Sequence, residues 1–554
     1  MSISETDTRP VPFGAAPTNG NGGRPEQAAP RDREDRAEIP PRSMRLLRER
    51  RDELRRGIVA GRREAVDRQH ALGKKTARER LDLLLDEDSF TEFDIYRRQH
   101  GTMAAGGASP HTDGVVAGSG TIDGRRVFVY AQDFTIAGGS LGAAHAAKIH
   151  KVMDLALATG APIIGLNDSG GARIQEGVMA LDGYGGIFRR QVQASGVVPQ
   201  ISVVLGPCAG GAAYSNALAD FTFMVRGPAQ MYLTGPDVVA AVSGERVSHT
   251  ELGGADVHGG RSGVASFVHD DEESCFADLR YLISLLPGNN LEPAPPAHPP
   301  TDSDDRPALA DIVPVEPNRP YDMRAVIGEV VDEGDFIEIH EAWAPNVLCA
   351  LGRIGGEVVG LVANQPMVLA GVLDTVASQK AARFVRFCDA FSIPLVTLVD
   401  VPGFLPGTKQ EYEGAIRHGA KLLYAYCEAS VPRIQVILRK AYGGAYIVMD
   451  SRSIGCDLSL AWPTNEIAVM GAEGAVNIVH RRELAAADDP GDLRSKLIEA
   501  YSEELMHPYF AAERGLVDDV IDPARTRVAL IRGLGVLRDK RTPASNRKHG
   551  NVPL

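Results

Sequence analysis

Short runs of Val, Ile and Leu alternate with Ala-rich stretches through most of the chain, a pattern that predicts buried strands between helices. Val127 to Tyr130, Pro162 to Leu166 and Gln200 to Leu205 are apolar with few interruptions, as strands covered on both faces are. Val358 to Ala363, Pro394 to Val399 and Arg433 to Leu438 repeat the series. The fold class that follows is α/β, built in layers. Upstream, Ser43 to about Arg68 is rich in Arg and Glu, with Leu46, Leu47, Leu54, Ile58 and Val59 at roughly helical spacing, and reads as an amphipathic helix. Gly73-Lys74-Lys75-Thr76-Ala77-Arg78-Glu79-Arg80 opens another helix with a dense basic patch. Surface ion pairs and phosphate contacts account for that patch equally well.

The two series are copies of one another. Pro199 lies 11 residues before Gly210, and Pro432 lies 11 before Gly443. Asp168 and Asp400 each follow a proline by six residues, and Lys148 and Lys380 each precede that proline by 14. The segment Leu85 to Phe93 returns as Val331 to Ile339. This duplication predicts a first domain over 43–286 and a second over 321–554. The Pro-rich stretch 287–320 between them predicts a semi-extended linker. Residues 1–42 are rich in Gly, Pro, Ala and charged side chains and lack an apolar segment, which predicts a disordered tail and not a secretory signal.

Composition removes several function classes. The 554 residues are 44% hydrophobic and 24% charged, ordinary for a soluble globular protein. No uninterrupted apolar run reaches the roughly 20 residues of a membrane helix. A net charge of −13 disfavours nucleic acid and anionic membranes as general partners. The six cysteines stand singly with no Cys-x-x-Cys pair, which fits a reducing cytoplasm.

Candidate chemistry lies in the glycines. Gly210-Gly211-Ala212 and Gly443-Gly444-Ala445 each follow an apolar strand and precede a helical stretch, so that backbone N–H groups at the helix start point one way. Such amides suit an oxygen on which negative charge develops. A tight packing turn is the alternative for either copy alone, and the duplication favours function. A second cluster, Asp168-Ser169-Gly170-Gly171-Ala172-Arg173, has Asp400-Val401-Pro402-Gly403-Phe404 as its counterpart, both where an open α/β sheet places ligands. Gly138-Gly139-Ser140-Leu141-Gly142 matches a nucleophile elbow, but the other copy has Val372 at the serine's position, which favours a packing turn. No phosphate loop occurs, and no Cys/His or His/Glu spacing suggests a thiol nucleophile or a metal. His145, His258 and His418 read as structural. Tyr214 and Ile447, each two residues past the alanine of its turn, read equally as pocket walls or as core.

Five segments together point to a family. Gly73 to Leu84, Asp168 to Arg173, Gly206 to Ala212, Arg439 to Tyr446 and Ala461-Trp462-Pro463-Thr464 resemble the carboxyltransferase (β) subunits of biotin-dependent acyl-CoA carboxylases, above all the acetyl-/propionyl-CoA carboxylase β chains of actinobacteria. The resemblance runs from about Ser43 nearly to the C-terminus. It implies tandem duplicated crotonase-like (ClpP/crotonase) domains, a homo-hexamer, and an active site where the first domain of one subunit meets the second domain of another. By the same resemblance, the amides of Gly210, Gly211 and Ala212 hold the thioester enolate of an acyl-CoA, and those of Gly443, Gly444 and Ala445 hold the ureido oxygen of carboxybiotin. It further implies acyl-CoA contacts from Lys74, Arg78, Gly170, Gly171, Ala172, Arg173, Tyr214 and Ile447. Gly403, Phe404 and Tyr446 fall on the biotin side.

The implied transfer needs no side-chain base and no metal in this chain, in keeping with the thin catalytic signals. No Met-Lys-Met biotinylation motif and no ATP-binding carboxylase half occur, so biotin and its carboxylation are expected on a separate α subunit. An acidic residue at the Ile447 position resembles a propionyl preference and an aliphatic one a more permissive site, so mixed acetyl/propionyl use is expected. The alternatives are a decarboxylase subunit of a biotin-dependent sodium-pumping complex and a non-catalytic scaffold of the same fold.

Overall fold

The computed structural model describes residues 43–99, 110–298, 305–542 and 547–553. The expected tail over 1–42, and residues 299–304 of the expected linker, lie outside them. Residues 57–554 form one compact unit. The expected helix from Ser43 to about Arg68 is two helices. Met44–Ala60 has no buried residue, and Arg63–Ala71 begins after Gly61 turns the chain with φ +64°.

Two sheets carry the unit. The first contains β1 (Thr91–Glu92), β2 (Val115–Ile122), β3 (Arg125–Gln132), β4 (Ile163–Ser169), β5 (Gln200–Ala209), β6 (Phe221–Val225), β7 (Gln230–Tyr232) and β8 (Phe267–His269). The second contains β9 (Phe336–Glu338), β10 (Val347–Ile354), β11 (Glu357–Asn364), β12 (Leu395–Val401), β13 (Arg433–Tyr442), β14 (Leu458–Ala461), β15 (Glu466–Ala468) and β16 (Asp519–Val520). β2 and β3 pair antiparallel, and β3, β4, β5, β6 and β8 then follow in parallel. β10 to β14 repeat this order, with β16 at the far edge. β4, β6 and β12 are buried along their whole length, in keeping with the apolar runs Pro162 to Leu166 and Pro394 to Val399 that begin β4 and β12.

The copies agree down to an irregularity. Asn167 pairs with Val204 and Ser169 with Cys208, so β5 carries extra residues against β4; Val399 pairs with Ile437 and Val401 with Ala441, so β13 carries them against β12. Such a bulge re-aims the strand end. In each copy it lies just before the Gly-Gly-Ala turn.

The repeats share a hydrophobic core. Phe221 of the first and Phe387 of the second meet edge to face at 4.7 Å between ring centroids. Arg383 donates to the carbonyl of Ala219 at 2.6 Å, and the His340 amide donates to the Ser266 carbonyl at 2.9 Å. The described part of 287–320 is also less extended than its prolines suggest. It forms a short helix, Ala308–Ile312, because Leu309 and Val313 are buried in the core of the second repeat.

Candidate active site at the two glycine turns

Strand β5 ends at Ala209, and the helix Gly211–Ala217 follows after Gly210; β13 ends at Tyr442, and the helix Gly443–Val448 follows directly. Gly210 and Gly443 both have φ +60°, a left-handed conformation that side chains resist. The Gly210 amide donates to the Tyr232 carbonyl at 3.1 Å, which closes the end of the sheet. Gly211 and Ala212 come next, then the equivalent Gly444 and Ala445. Their N–H groups lie in the first turn of each helix, where no preceding turn offers an acceptor. Each turn therefore presents two amides at the positive end of a helix.

Surroundings differ between the turns. A Cβ on Gly211 would come within 2.6 Å of the Tyr184 ring, whereas one on Gly444 would meet nothing within 4 Å. Gly444 is exposed and faces open space. Tyr214 and Ile447 are 55% and 42% exposed at matching positions one turn further along. They are walls of the surface beside each turn and not core. Tyr446 is half-buried, its hydroxyl has no partner among the described residues, and burial pushes its pKa up to about 12. Phe404 packs beside Gly419, next to the second turn's supporting helix Ala415–Glu428.

The second glycine cluster supports the first. The Gly170 amide donates to the Gly138 carbonyl at 2.9 Å and the Gly171 amide to the Ser169 hydroxyl at 3.1 Å. Leu141 and Arg173 exchange with this loop, the Leu141 amide donating to the Gly171 carbonyl and the Arg173 amide to the Leu141 carbonyl. In the second repeat Leu373 donates to Gly403, and Leu405 to Leu373, in the same way. The bridges Leu141 with Ala172 and Leu373 with Phe404 result. Gly171 also abuts Ala209, whose carbonyl lies 3.0 Å from where a Cβ would stand. These loops brace the turns, and the amides of Gly170 and Gly171 are already bonded within the chain. Ser140 donates to the Ala137 carbonyl at 2.7 Å, as a packing turn would have it.

Three residues expected at the acyl-CoA are engaged by carboxylates of the chain itself. Arg173 is 3% exposed, its guanidinium 2.7 Å from Asp113 and 2.8 Å from Glu176. Arg78 makes two bonds to the Glu92 carboxylate, at 2.9 and 3.1 Å. Lys74 lies 2.7 Å from Asp168, with its ammonium 4.4 Å from the Phe134 ring. The basic patch consists of ion pairs, most of them internal. Thr76 and Glu79 cap the helix Ala77–Leu84 reciprocally, and this start directs Lys74 and Arg80 inward.

What the basic patch serves is a buried carboxylate. Asp168, fully buried, accepts from Lys74, from Arg80 at 2.9 Å and from Gln69 at 3.3 Å, while Arg80 also binds Glu272 at 2.8 Å. Its counterpart Asp400 is equally buried but takes a cation from its own repeat, Arg439 at 3.0 Å, and the Lys440 amide at 3.1 Å. Arg439 sits in the bulge of β13. The matching bulge of β5 has Gly206, where a Cβ would overlap the Asp168 carboxylate. A missing side chain in the bulge of β5 is thus replaced by cations from the basic patch at the start of the same domain. Little in the sequence marks Arg80, Gly206, Asp400 and Arg439 as supports of the site, and the register of the two bulges is what sets Gly206 against Arg439.

Likeness to known proteins fits this geometry. The carboxyl transferase domain family matches residues 68–552. The propionyl-CoA carboxylase carboxyltransferase subunit of Haloferax mediterranei is 56% identical over 512 residues, covering 92% of this chain and 98% of that one. The methylmalonyl-CoA decarboxylase subunit alpha of Veillonella parvula is 52% identical over 508 residues, covering 91% and 98%. Transcarboxylase 12S, solved as a hexamer with methylmalonyl-CoA and methylmalonic acid bound, superposes with a TM-score of 0.90 at 50% identity, covering 93% of this chain and 99% of that one. The expected crotonase-like fold is the one observed. Family match, near full-length relatives and fold agree, and the chain belongs to the carboxyl transferase family as a biotin-dependent acyl-CoA carboxyltransferase subunit.

Proposed function

We propose that the two turns divide the reaction between them in the direction of carboxylation. Gly211 and Ala212 donate to the thioester oxygen of an acyl-CoA, and Gly444 and Ala445 donate to the ureido oxygen of biotin carried by a separate α subunit. Carboxybiotin supplies the CO2 and the base for the α-proton. The chain's own amides stabilise the charge that builds on each oxygen, at a typical about 2.7–4 kcal/mol per donor. Repetition of the same turn, with the same φ at Gly210 and Gly443, carries this reading, since a transfer that charges two oxygens in turn needs two such sites.

The site is completed between subunits of a homo-hexamer in this reading. Exposed apolar side chains flank both turns at equivalent places: Leu233 and Val469 beside the turns, Val242 and Ile478 on the helices Pro236–Ser243 and Ala472–Val479. Apolar surface repeated on two faces of one molecule suits burial of one repeat against the other repeat of a second copy. Acetyl-CoA and propionyl-CoA are the proposed substrates, because Ile447 offers an uncharged wall beside the second turn. Among the described residues no helix is long and apolar enough to cross a membrane. A cytoplasmic location belongs to the proposal and is supported by six free cysteines.

Fixation of labelled bicarbonate tests it. The chain is mixed with a biotinylated α subunit, ATP and a panel of acyl-CoAs, and label is expected in the acetyl and propionyl products. The Veillonella relative favours a second reading, decarboxylation within a membrane complex. That reading predicts co-purification with an integral membrane protein, and loss of CO2 from methylmalonyl-CoA without ATP.

A further inference from the structure

Where the repeats meet, away from either turn, a cavity of about 690 Å³ opens between Ser195–Asp220 of the first and Ile339–Phe391 of the second. Its size is that of a small-molecule site, and junctions of this kind are where such sites occur. Phe221, Phe384 and Phe387 give it an apolar floor. Its charges do not balance. Arg383 and Lys421 line it, and neither forms an ion pair among the described residues, whereas Arg386 is bound to Glu428. Lys380 is also present, but its ammonium is held by the carbonyls of His340 and Trp343 at 2.9 and 3.0 Å. Among the described lining residues the one carboxylate is Asp220, which accepts from the Gln200 amide at 2.8 Å; burial pushes it up to about 6 against the pull of that amide and of the Arg383 charge. Arg383 is exposed and Lys421 half-exposed at the cavity, so both cations stand open to a ligand beside the aromatic floor.

We propose that this cavity is a binding site for an organic anion, a carboxylate or phosphate monoester on an apolar body, separate from the two glycine turns. Lys421 and Arg383 face the head group, and the phenylalanines take the body. The cavity also touches Ala217 and Leu218, at the far end of the helix Gly211–Ala217 that begins at the first turn. That helix is roughly 10 Å long. Arg383 ties the next residue, Ala219, to the second repeat at 2.6 Å. An occupant is thus positioned to shift the first turn's affinity for its acyl-CoA. This coupling rests on the proposed function; the binding itself does not.

Binding can be read without turnover. The chain has two tryptophans, and Trp343 lines the cavity while Trp462 is buried elsewhere with its indole N–H on Thr526 at 2.9 Å. Full-length protein is titrated with phenyl phosphate and with octanoate, against inorganic phosphate and octanol. A saturable change in tryptophan emission is expected with at least one organic anion, and the preferred one identifies the head group. The signal disappears in Trp343→Phe. Affinity falls about tenfold or more in Lys421→Met and is kept in Lys421→Arg, the usual effect of losing a charged hydrogen bond. No saturable change with either organic anion, an equal response to inorganic phosphate, or unchanged affinity in Lys421→Met would each overturn the site.

Discussion

The ammonium of Lys74 lies 2.7 Å from the fully buried carboxylate of Asp168, a residue 94 positions away. Removing one member of a buried pair leaves the other charged and unpaired, at about 3–5 kcal/mol. Lys74→Met is expected near the lower end, because Arg80 remains, and Lys74→Met with Asp168→Asn together should lose less than the single change. Urea unfolding midpoints measure both. A raised KM for acyl-CoA at unchanged stability would instead restore Lys74 as a phosphate contact.

Gly443→Ala places a side chain at φ +60°, where it costs about 1–2 kcal/mol and tilts the amides that follow. The rate of transfer should fall by about a hundredfold or more, the usual loss of one aligned donor. Stopped-flow transfer assays beside a thermal melt separate the two effects.

Ile447 is 42% exposed beside the second turn, and Ile447→Asp replaces an apolar wall with a charged one. The acetyl-to-propionyl ratio of kcat/KM should move by roughly tenfold, since one methylene against an apolar wall is worth about 1–3 kcal/mol. Competition between the two thioesters reads the ratio directly. An unchanged ratio removes the position from substrate selection.

Acid should remove the stability that two buried histidines carry. Burial pulls His145 and His340 down from 6.5 to about 3. Between those values the unfolded chain binds protons that the folded chain refuses. The stability is fully present above about pH 6.5 and is lost as pH falls toward 3, at about 1.4 kcal/mol per pH unit for each histidine. Asp220 and Asp450, which burial raises to about 6 and about 7, contribute with the opposite sign, so denaturant midpoints from pH 7 to pH 4 are compared between the parent and His145→Gln. The difference should grow by about 1.4 kcal/mol per pH unit below 6.5.

Much of this arrangement is legible in the chain because duplication repeats physical constraints. The intervals that link Pro162 to Asp168 and Pro394 to Asp400 are those of β4 and β12, and the glycine pairs mark the two strand-to-helix turns. The acidic partners of Lys74, Arg78 and Arg173 are not legible in the sequence, for one reason. A run of cations in a sequence does not show its acids, and Glu92, Asp113 and Asp168 come near only through the fold. Gly206 looks like another turn glycine until its bulge is set against that of Arg439. The cavity beside Trp343 belongs to packing between repeats and leaves no local signal at all.

The division of labour between the turns is tested most directly at Gly444. A Cβ there meets nothing within 4 Å, so Gly444→Val should fold as the parent does, and sedimentation checks that it still assembles. Acyl-CoA binding by calorimetry and transfer of labelled carboxyl from the biotinylated α subunit are measured on the same preparation. The account predicts unchanged acyl-CoA affinity with transfer abolished; loss of acyl-CoA binding would mean that the second turn holds the thioester and would contradict it.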